Sequence, residues 1–152
     1  MGKKVLIITG SPRLKGNTNA LVTAFASGAV AAGNEVEVFD AATANLNGCH
    51  ADKSCEQRGC CGQKDDGVRM NELMREADVL VLASPVYWSG FTSQIKTAID
   101  RFYASNAQIQ TPKKAALLLT SGDAEWDVTA GAIGTYKGIC GYLGWSDGGI
   151  IT

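Results

Sequence analysis

Short, unbroken apolar runs that end at turn residues constrain the fold of this chain more than any other feature of its sequence. Residues 4–9, 79–83 and 115–120 are runs of this kind. Such runs are typical of strands buried on both faces of a parallel sheet. Residues 35–39 alternate glutamates with valines, which predicts a strand at the edge of the sheet. Residues 149–151 are a short fifth candidate.

Between these runs, apolar residues recur with the helical period of 3.6. The four stripes are Leu21, Phe25, Ala29 and Ala32; Met70, Leu73, Met74 and Ala77; Ile95, Ile99, Phe102 and Tyr103; and Val128, Ile133, Tyr136, Cys140 and Leu143. Asn17 and Asp66 are the predicted N-caps, and Gly33 and Gly144 are predicted to end helices. The alternating order of strands and helices predicts an α/β fold, with one doubly wound, five-stranded parallel sheet and a single domain over residues 1–152.

The composition excludes several classes of protein. Hydrophobic residues make up 45% of the chain and charged residues 19%, which excludes a disordered charged tail. The 14 basic and 15 acidic side chains give a net charge of −1, so we expect neither a nucleic acid nor a membrane as partner. Five cysteines are an odd number and argue against a complete disulfide framework. No apolar run is long enough for a membrane span or for the core of a signal peptide, so we expect a cytoplasmic protein.

A glycine-bounded polar loop, GSPRLKGNTN, joins the first strand to the first helix over residues 10–19. Backbone N–H groups at a helix N-terminus form an anion site, which the positive end of the helix dipole strengthens. The loop matches neither the dinucleotide fingerprint nor the Walker A pattern. The candidate anion ligands are Ser11, Arg13, Asn17, Thr18 and Asn19. The alternative to an anion site is that this loop is only a polar turn that caps the first helix.

Four motifs carry a resemblance to a known family: GSPRLKGNT, the DD pair before the second helix, SPVYW, and K-x-x-x-D-R. In this order they resemble the NAD(P)H-dependent FMN reductases, which have a flavodoxin-like fold, over residues 3–101. The sequence also resembles relatives with a cysteine-rich second loop, some of them iron–sulfur flavoproteins. The resemblance implies that Ser11, Arg13, Asn17 and Thr18 hold the FMN phosphate.

The resemblance also implies which residues surround the flavin ring. Pro85, Val86, Tyr87 and Trp88 would lie along the isoalloxazine, and Ser121 and Gly122 would close the third side. A flat, largely apolar ring needs stacking surface and backbone donors, and the loop at residues 84–90 offers both. The alternative is that Tyr87 and Trp88 merely cover the core.

The function implied is an FMN-dependent NAD(P)H oxidoreductase that passes electrons to a small acceptor such as a quinone or free flavin. Because the cofactor carries the hydride chemistry, no side chain is assigned as a general acid or base. The alternative is an electron carrier, flavodoxin-like or iron–sulfur, that docks to protein partners. A scaffold that binds no flavin is a third possibility. Lys96, Asp100 and Arg101 are expected to have a surface or subunit-contact role.

The second loop contains Cys49, Cys55, Cys60 and Cys61. Asp52 stands where the iron–sulfur relatives would have another cysteine, so we expect no cluster and assign no metal ligands. A set of one aspartate and three cysteines could still hold iron or zinc. The other possibilities are thiols near the flavin, or cysteines without a role. His50 is expected to be exposed, and Cys140 to lie in the core.

The C-terminal part of the chain predicts self-association. Gly131, Gly134, Gly138 and Gly141 form a stripe on the last helix, and close packing would offset the low helix propensity of glycine. A flavodoxin-like fold normally adds a helix after the fifth strand, and this sequence shows none. We therefore expect an apolar patch near the first helix and last strand, covered in a homodimer or homotetramer.

Overall fold

The computed structural model describes residues 2–123 and 126–152, and these residues form five strands and seven helical segments. The strands are β1 (Lys4–Thr9), β2 (Glu35–Asp40), β3 (Val79–Pro85), β4 (Lys114–Thr120) and β5 (Ser146–Ile151). The helices are α1 (Asn17–Ala31), α2 (Ser54–Arg58), α3 (Gly67–Glu76), α4 (Ser93–Asp100), a 3₁₀ segment (Arg101–Ser105), α5 (Asn106–Ile109) and α6 (Trp126–Leu143). None of the helices in the described ranges is long and apolar enough to cross a membrane.

The five strands form one parallel sheet in the order β2-β1-β3-β4-β5. The predicted doubly wound fold is confirmed, and so is the edge position of the strand with alternating glutamates. In the register, Thr9 pairs with Ala83, and Pro85 pairs with Thr120. The carboxyl ends of β1, β3 and β4 therefore lie side by side, and the loops that follow them meet at one edge.

The sheet separates two apolar clusters of unequal size. The larger lies between one sheet face and helices α3, α4 and α6, where Leu6 and Ile8 pack with Met70, Ile95 and Tyr136. Cys140 belongs to this cluster, as predicted. Among the described residues, α1 is the only helix in the smaller cluster on the other face. That second face is therefore thinly covered.

Some local predictions are wrong. Gly16, not Asn17, is the N-cap of α1. Asp66 is the N-cap residue of α3, as predicted, but its side chain forms no capping hydrogen bond. Instead, the Asp66 carboxylate accepts a hydrogen bond from the Asn45 amide at 2.7 Å, because residues 41–66 fold back over the start of α3. Tyr103 lies in the 3₁₀ segment and is 68% exposed, so it does not extend the α4 stripe into the core.

The glycines of α6 do not all lie in close packing. A Cβ atom at Gly131 would come within 2.3 Å of the Ser89 carbonyl oxygen, so glycine is required there. At Gly134, Gly138 and Gly141 a Cβ atom would meet nothing within 4 Å. The expected packing of the stripe against the sheet is therefore wrong for these three glycines, which lie on the exposed side of the helix.

Candidate functional site

A pocket of about 550 Å³ lies at the carboxyl edge of the sheet. Its lining consists of Ser11, Arg13, Lys15, Gly16, Asn17, Thr18, Pro85, Val86, Tyr87, Thr120, Ser121 and Gly122. These residues come from the carboxyl ends of β3 and β4, from the loops that follow β1, β3 and β4, and from the first turn of α1. The parallel register places these segments next to one another. The volume is within the range of about 300–1,000 Å³ that is typical of small-molecule sites.

One end of the pocket is built to receive an anion. The loop is closed by a hydrogen bond from the Gly16 amide to the Arg13 carbonyl at 2.9 Å. No side chain caps α1, so the N–H groups of its first turn lack a side-chain acceptor at the pocket. Arg13 and Lys15 line the same end and add two positive charges. The free N–H groups and the two cationic side chains together favour the binding of an anionic group.

Gly16 gives the loop room for its tight turn at this end of the pocket. A Cβ atom there would lie 3.0 Å from the Arg13 Cβ and 3.1 Å from its carbonyl oxygen. These contacts are tight, so a side chain at position 16 would press on the turn that presents Arg13. The Ser11 hydroxyl, which is buried, accepts from the Arg13 amide at 3.3 Å and braces the same turn.

Thr18 connects two sides of the pocket. Its side chain is 2% exposed, and its hydroxyl oxygen lies 2.6 Å from that of Thr120, the last residue of β4. This hydrogen bond joins the start of α1 to the end of β4. Thr18 can therefore offer its backbone N–H to an anion while its hydroxyl fixes the position of the helix.

Asn19 does not line the pocket, although it is one of the candidate anion ligands. Its amide nitrogen donates to the carbonyl oxygens of Arg13 and Leu14 at 3.2 Å, and its amide oxygen accepts from the Thr9 hydroxyl at 3.1 Å. The structure thus places Asn19 behind the loop, where it shapes the backbone that the other candidates present.

The apolar side of the pocket is formed by Pro85, Val86 and Tyr87. The Val86 amide donates to the Thr120 carbonyl at 2.8 Å, which anchors this loop to the end of β4. Trp88, the next residue, does not line the pocket and is fully exposed. Tyr87 is 45% exposed, so neither aromatic ring is an ordinary core residue.

The structure thus brings nine of the eleven sequence candidates together at one pocket and leaves out Asn19 and Trp88. Sequence reasoning missed Lys15, Gly16 and Thr120. Lys15 and Gly16 lie inside the loop already identified, and their place between candidates was the available signal. Thr120 ends β4 directly before Ser121, and a threonine at the end of an apolar run gives no sign of a role in a site.

Arg101 departs furthest from its expected position at the surface. Its side chain is 1% exposed and forms an ion pair with Asp65, which is 3% exposed. The two guanidinium nitrogens Nη1 and Nη2 donate to the two carboxylate oxygens at 2.6 and 2.8 Å. These hydrogen bonds lower the pKa of Asp65, although burial opposes the shift. The pair fixes the long second loop to the segment after α4. Lys96 and Asp100, in contrast, form the predicted exposed pair at 2.6 Å.

A second pocket, of about 220 Å³, lies between the cysteine loop and residues 100–104, at the end of α4 and in the 3₁₀ segment. Its lining includes seven residues of the types that bind metals: Cys49, His50, Asp52, Cys55, Glu56, Cys61 and Asp100. Cys60 is exposed and outside this lining, and His50 is exposed as predicted. All five cysteines of the chain are free thiols. Within residues 2–123 and 126–152, no group of three or more such side chains is arranged to hold a metal ion. This arrangement does not fit an iron–sulfur cluster.

The first pocket, in contrast, fits FMN. Its donor set at one end matches a phosphate, and the apolar loop and backbone groups at the other end match a flat ring with polar edges. FMN would be held by the residues between Ser11 and Thr18 and by those at Pro85 to Tyr87.

Known proteins with similar sequences point to flavoproteins. The model of the family described as NADPH-dependent FMN reductase matches residues 3–130. An iron–sulfur flavoprotein of Methanocaldococcus jannaschii is 39% identical over 98 residues, which cover 64% of this chain and 51% of that protein. An iron–sulfur flavoprotein of Archaeoglobus fulgidus is 38% identical over 98 residues, with 64% and 44% covered. The chain thus spans about half the length of these curated relatives.

A solved structure shows the same fold over nearly the whole chain. The NAD(P)H:quinone oxidoreductase from Methanothermobacter marburgensis superposes with a TM-score of 0.75 and 21% identity, covering 99% of this chain and 81% of that one. This likeness confirms the flavodoxin-like fold. The family match covers far more than half of the sequence and includes the residues that build the first pocket. The chain belongs to the NADPH-dependent FMN reductase family.

Proposed function

We propose that this chain is a single FMN-binding domain over residues 1–152 and an FMN-dependent NAD(P)H oxidoreductase. The observation that carries the proposal is the first pocket, where an anion site and an apolar, aromatic-edged site open on the same edge of the sheet. A mononucleotide with a planar base has these two parts. The family match and the named function of the quinone oxidoreductase with the same fold support the reaction type.

The residues of the pocket bind and orient, and no acid or base is assigned among them. The N-terminal turn of α1, with Ser11 and Arg13, would hold the phosphate. Pro85, Val86 and Tyr87 would lie along the flavin ring, and Ser121 and Gly122 would close its third side. Bound FMN would supply the chemistry of hydride transfer from NAD(P)H and of electron delivery to an acceptor. The acceptor we propose is a quinone, a free flavin or a similar small molecule.

A second candidate is an electron carrier that docks to protein partners. The names of the curated relatives, iron–sulfur flavoproteins, favour it. The net charge of −1 does not, because carriers of the flavodoxin kind are usually strongly acidic. The thiols of the second pocket also lack a metal-binding arrangement within the described residues. We therefore prefer the enzyme, and we place it in the cytoplasm.

We further propose a homodimer or homotetramer in which a second copy covers the thinly covered sheet face. Val38 pairs with Ile7, and Ile151 pairs with Leu118. Ile7 and Leu118 both pack under α1, so Val38 and Ile151 lie on that face at either side of the helix. Val38 is 47% exposed and Ile151 is 48% exposed. A monomer in sedimentation at micromolar concentration would contradict this proposal.

The enzyme is tested by reduction of the bound cofactor. The purified protein is expected to be yellow and to release FMN on acid treatment. Anaerobic addition of NADPH or NADH should bleach the flavin absorbance rapidly, and a quinone should restore it. A yellow protein that neither nucleotide bleaches would favour the carrier, and a colourless protein that does not take up added FMN would contradict both.

A further inference from the structure

The loop after β3 contains a strained two-residue turn. Trp88 and Ser89 are consecutive non-glycine residues with positive φ angles of 50° and 59°. Reciprocal hydrogen bonds between Tyr87 and Gly90, both 3.0 Å long, close the turn around them. Turns with two positive φ angles are usually built from asparagine and glycine, which adopt this conformation at low cost. A tryptophan here stores strain that the surrounding structure must offset.

Helix α6 holds this turn in place. The Ala132 amide donates to the Ser89 carbonyl at 3.1 Å. The backbones approach so closely that a Cβ atom at Gly131 would lie 2.3 Å from the Ser89 carbonyl oxygen. The turn is therefore fixed from both sides, by its own hydrogen bonds and by a helix that has a glycine at the contact. Strain of this kind is typical of functional sites.

The strained turn presents a tryptophan ring to solvent. Trp88 is fully exposed, so burial of its own ring does not offset the strain. The three residues before it, Pro85, Val86 and Tyr87, line the first pocket. Trp88 thus stands at the rim of that pocket, one residue beyond its apolar side. A large aromatic face on a rigid turn offers stacking surface to another flat ring.

We propose that Trp88 is the contact surface for the planar aromatic ring of the electron acceptor, and that it determines specificity for such acceptors. The proposal rests on the proposed function, since it requires a reducible FMN in the first pocket. It differs from the sequence-based expectation, which placed Trp88 along the isoalloxazine. A ring outside the pocket can select the acceptor without holding the cofactor.

The test compares two acceptors in the FMN-loaded enzyme. The planar acceptor is 1,4-naphthoquinone, and ferricyanide is the small, non-aromatic one. The variant Trp88→Asn removes the ring but keeps the turn, because asparagine tolerates positive φ. We expect KM for naphthoquinone to rise about tenfold, with kcat, FMN content and the rate of flavin reduction by NADPH all unchanged. KM for ferricyanide should stay within about twofold of its original value.

Two further variants separate stacking from structure. Trp88→Phe keeps an aromatic face and should restore most of the affinity for naphthoquinone. Tyr103→Asn removes another exposed ring, one that lies outside the first pocket, and should change neither KM.

Several outcomes would overturn the proposal while the proposed function stands. One is an unchanged KM for naphthoquinone in Trp88→Asn. Another is an equal rise in KM for naphthoquinone and for ferricyanide. A third is a rise in KM for NADPH alone. A change of oligomeric state in Trp88→Asn would also overturn it, because the ring would then be a subunit contact. A wild-type protein whose flavin NADPH does not reduce would overturn the proposed function as well.

Discussion

The hydroxyl oxygens of Thr18 and Thr120 lie 2.6 Å apart, and this single hydrogen bond joins the first turn of α1 to the end of β4. The two residues are 102 positions apart in the chain. Their contact fixes the distance between the anion end of the pocket and the loop that closes its third side. A binding site whose walls are fixed in advance loses less entropy when its ligand binds.

Replacing Thr18 with valine should therefore weaken FMN binding without removing it. The change keeps the shape of the side chain but removes a hydrogen bond, which contributes about 1 kcal/mol. We expect the Kd for FMN to rise about fivefold, measured by fluorescence titration. Thr120→Val should have a similar effect, and the double variant should be hardly worse than either single one. If the losses of FMN binding free energy in the two single variants added up fully in the double variant, the two hydroxyls would act independently.

Replacing Arg13 with alanine should weaken FMN binding by about 1.5–3 kcal/mol, because a hydrogen bond to a charged phosphate is lost. Riboflavin lacks the phosphate, so its affinity should not change in the same variant. Arg69→Ala is the matched control, since Arg69 is exposed and pairs with Glu37 at 3.1 Å, outside the first pocket. If Arg13→Ala lost as much affinity for riboflavin as for FMN, Arg13 would not hold the phosphate.

Replacing Arg101 with methionine should destabilise the fold strongly. The change leaves the Asp65 carboxylate buried without its partner, which typically costs about 3–5 kcal/mol of unfolding free energy. Chemical denaturation measures the loss. Asp65→Asn combined with Arg101→Met should be less harmful than Arg101→Met alone, because no unpaired charge remains. A loss below about 1 kcal/mol in the single variant would contradict the buried pairing.

The same pair predicts how stability depends on pH. Because Arg101 lowers the pKa of Asp65 in the folded protein, the unfolded chain binds more protons in acid. The stabilisation is fully present above the ordinary carboxyl pKa of about 4 and is lost as the pH falls through the lower, folded value. Between pH 5 and pH 2, the unfolding free energy should fall more steeply in the wild type than in the double variant. If the unfolding free energy depended on pH in the same way in both proteins, a contribution of Asp65 to the pH dependence of stability would be excluded.

Two glycines of α6 should respond oppositely to alanine. Gly131→Ala places a Cβ atom against the Ser89 carbonyl and should destabilise the protein by about 1–3 kcal/mol. At Gly134 the Cβ atom meets nothing within 4 Å, so alanine should stabilise the helix by up to about 1 kcal/mol. Thermal unfolding of the two variants measures both effects. Destabilisation by Gly134→Ala would indicate that a partner subunit packs on that face.

The sequence predicts the sheet well because its signals are local. Unbroken apolar runs mark buried strands, and the alternation of Glu35 to Phe39 marks the edge. In a parallel sheet the loops after neighbouring strands meet, so the position of the pocket follows from strand order alone. This is why nine candidates from three distant loops lie together in the structure.

Side-chain direction could not be predicted in the same way. Arg101 follows an exposed pair on α4, and only the fold of residues 41–66 brings Asp65 to it. The side chain of Asn19 turns behind the loop because the carbonyl groups of Arg13 and Leu14 face it there. Trp88 is fully exposed and lies in a turn with two positive φ angles, which no local pattern of this sequence predicts. Each of these depends on contacts between segments distant in sequence or on backbone strain.

The most direct test of the central claim is a crystal structure of the protein grown with FMN. The account predicts density for the phosphate at the turn between Ser11 and Thr18, next to the Arg13 guanidinium, with the flavin ring against Pro85 to Tyr87. Crystals soaked in excess FMN that show no density at this turn, or FMN bound elsewhere, would contradict it.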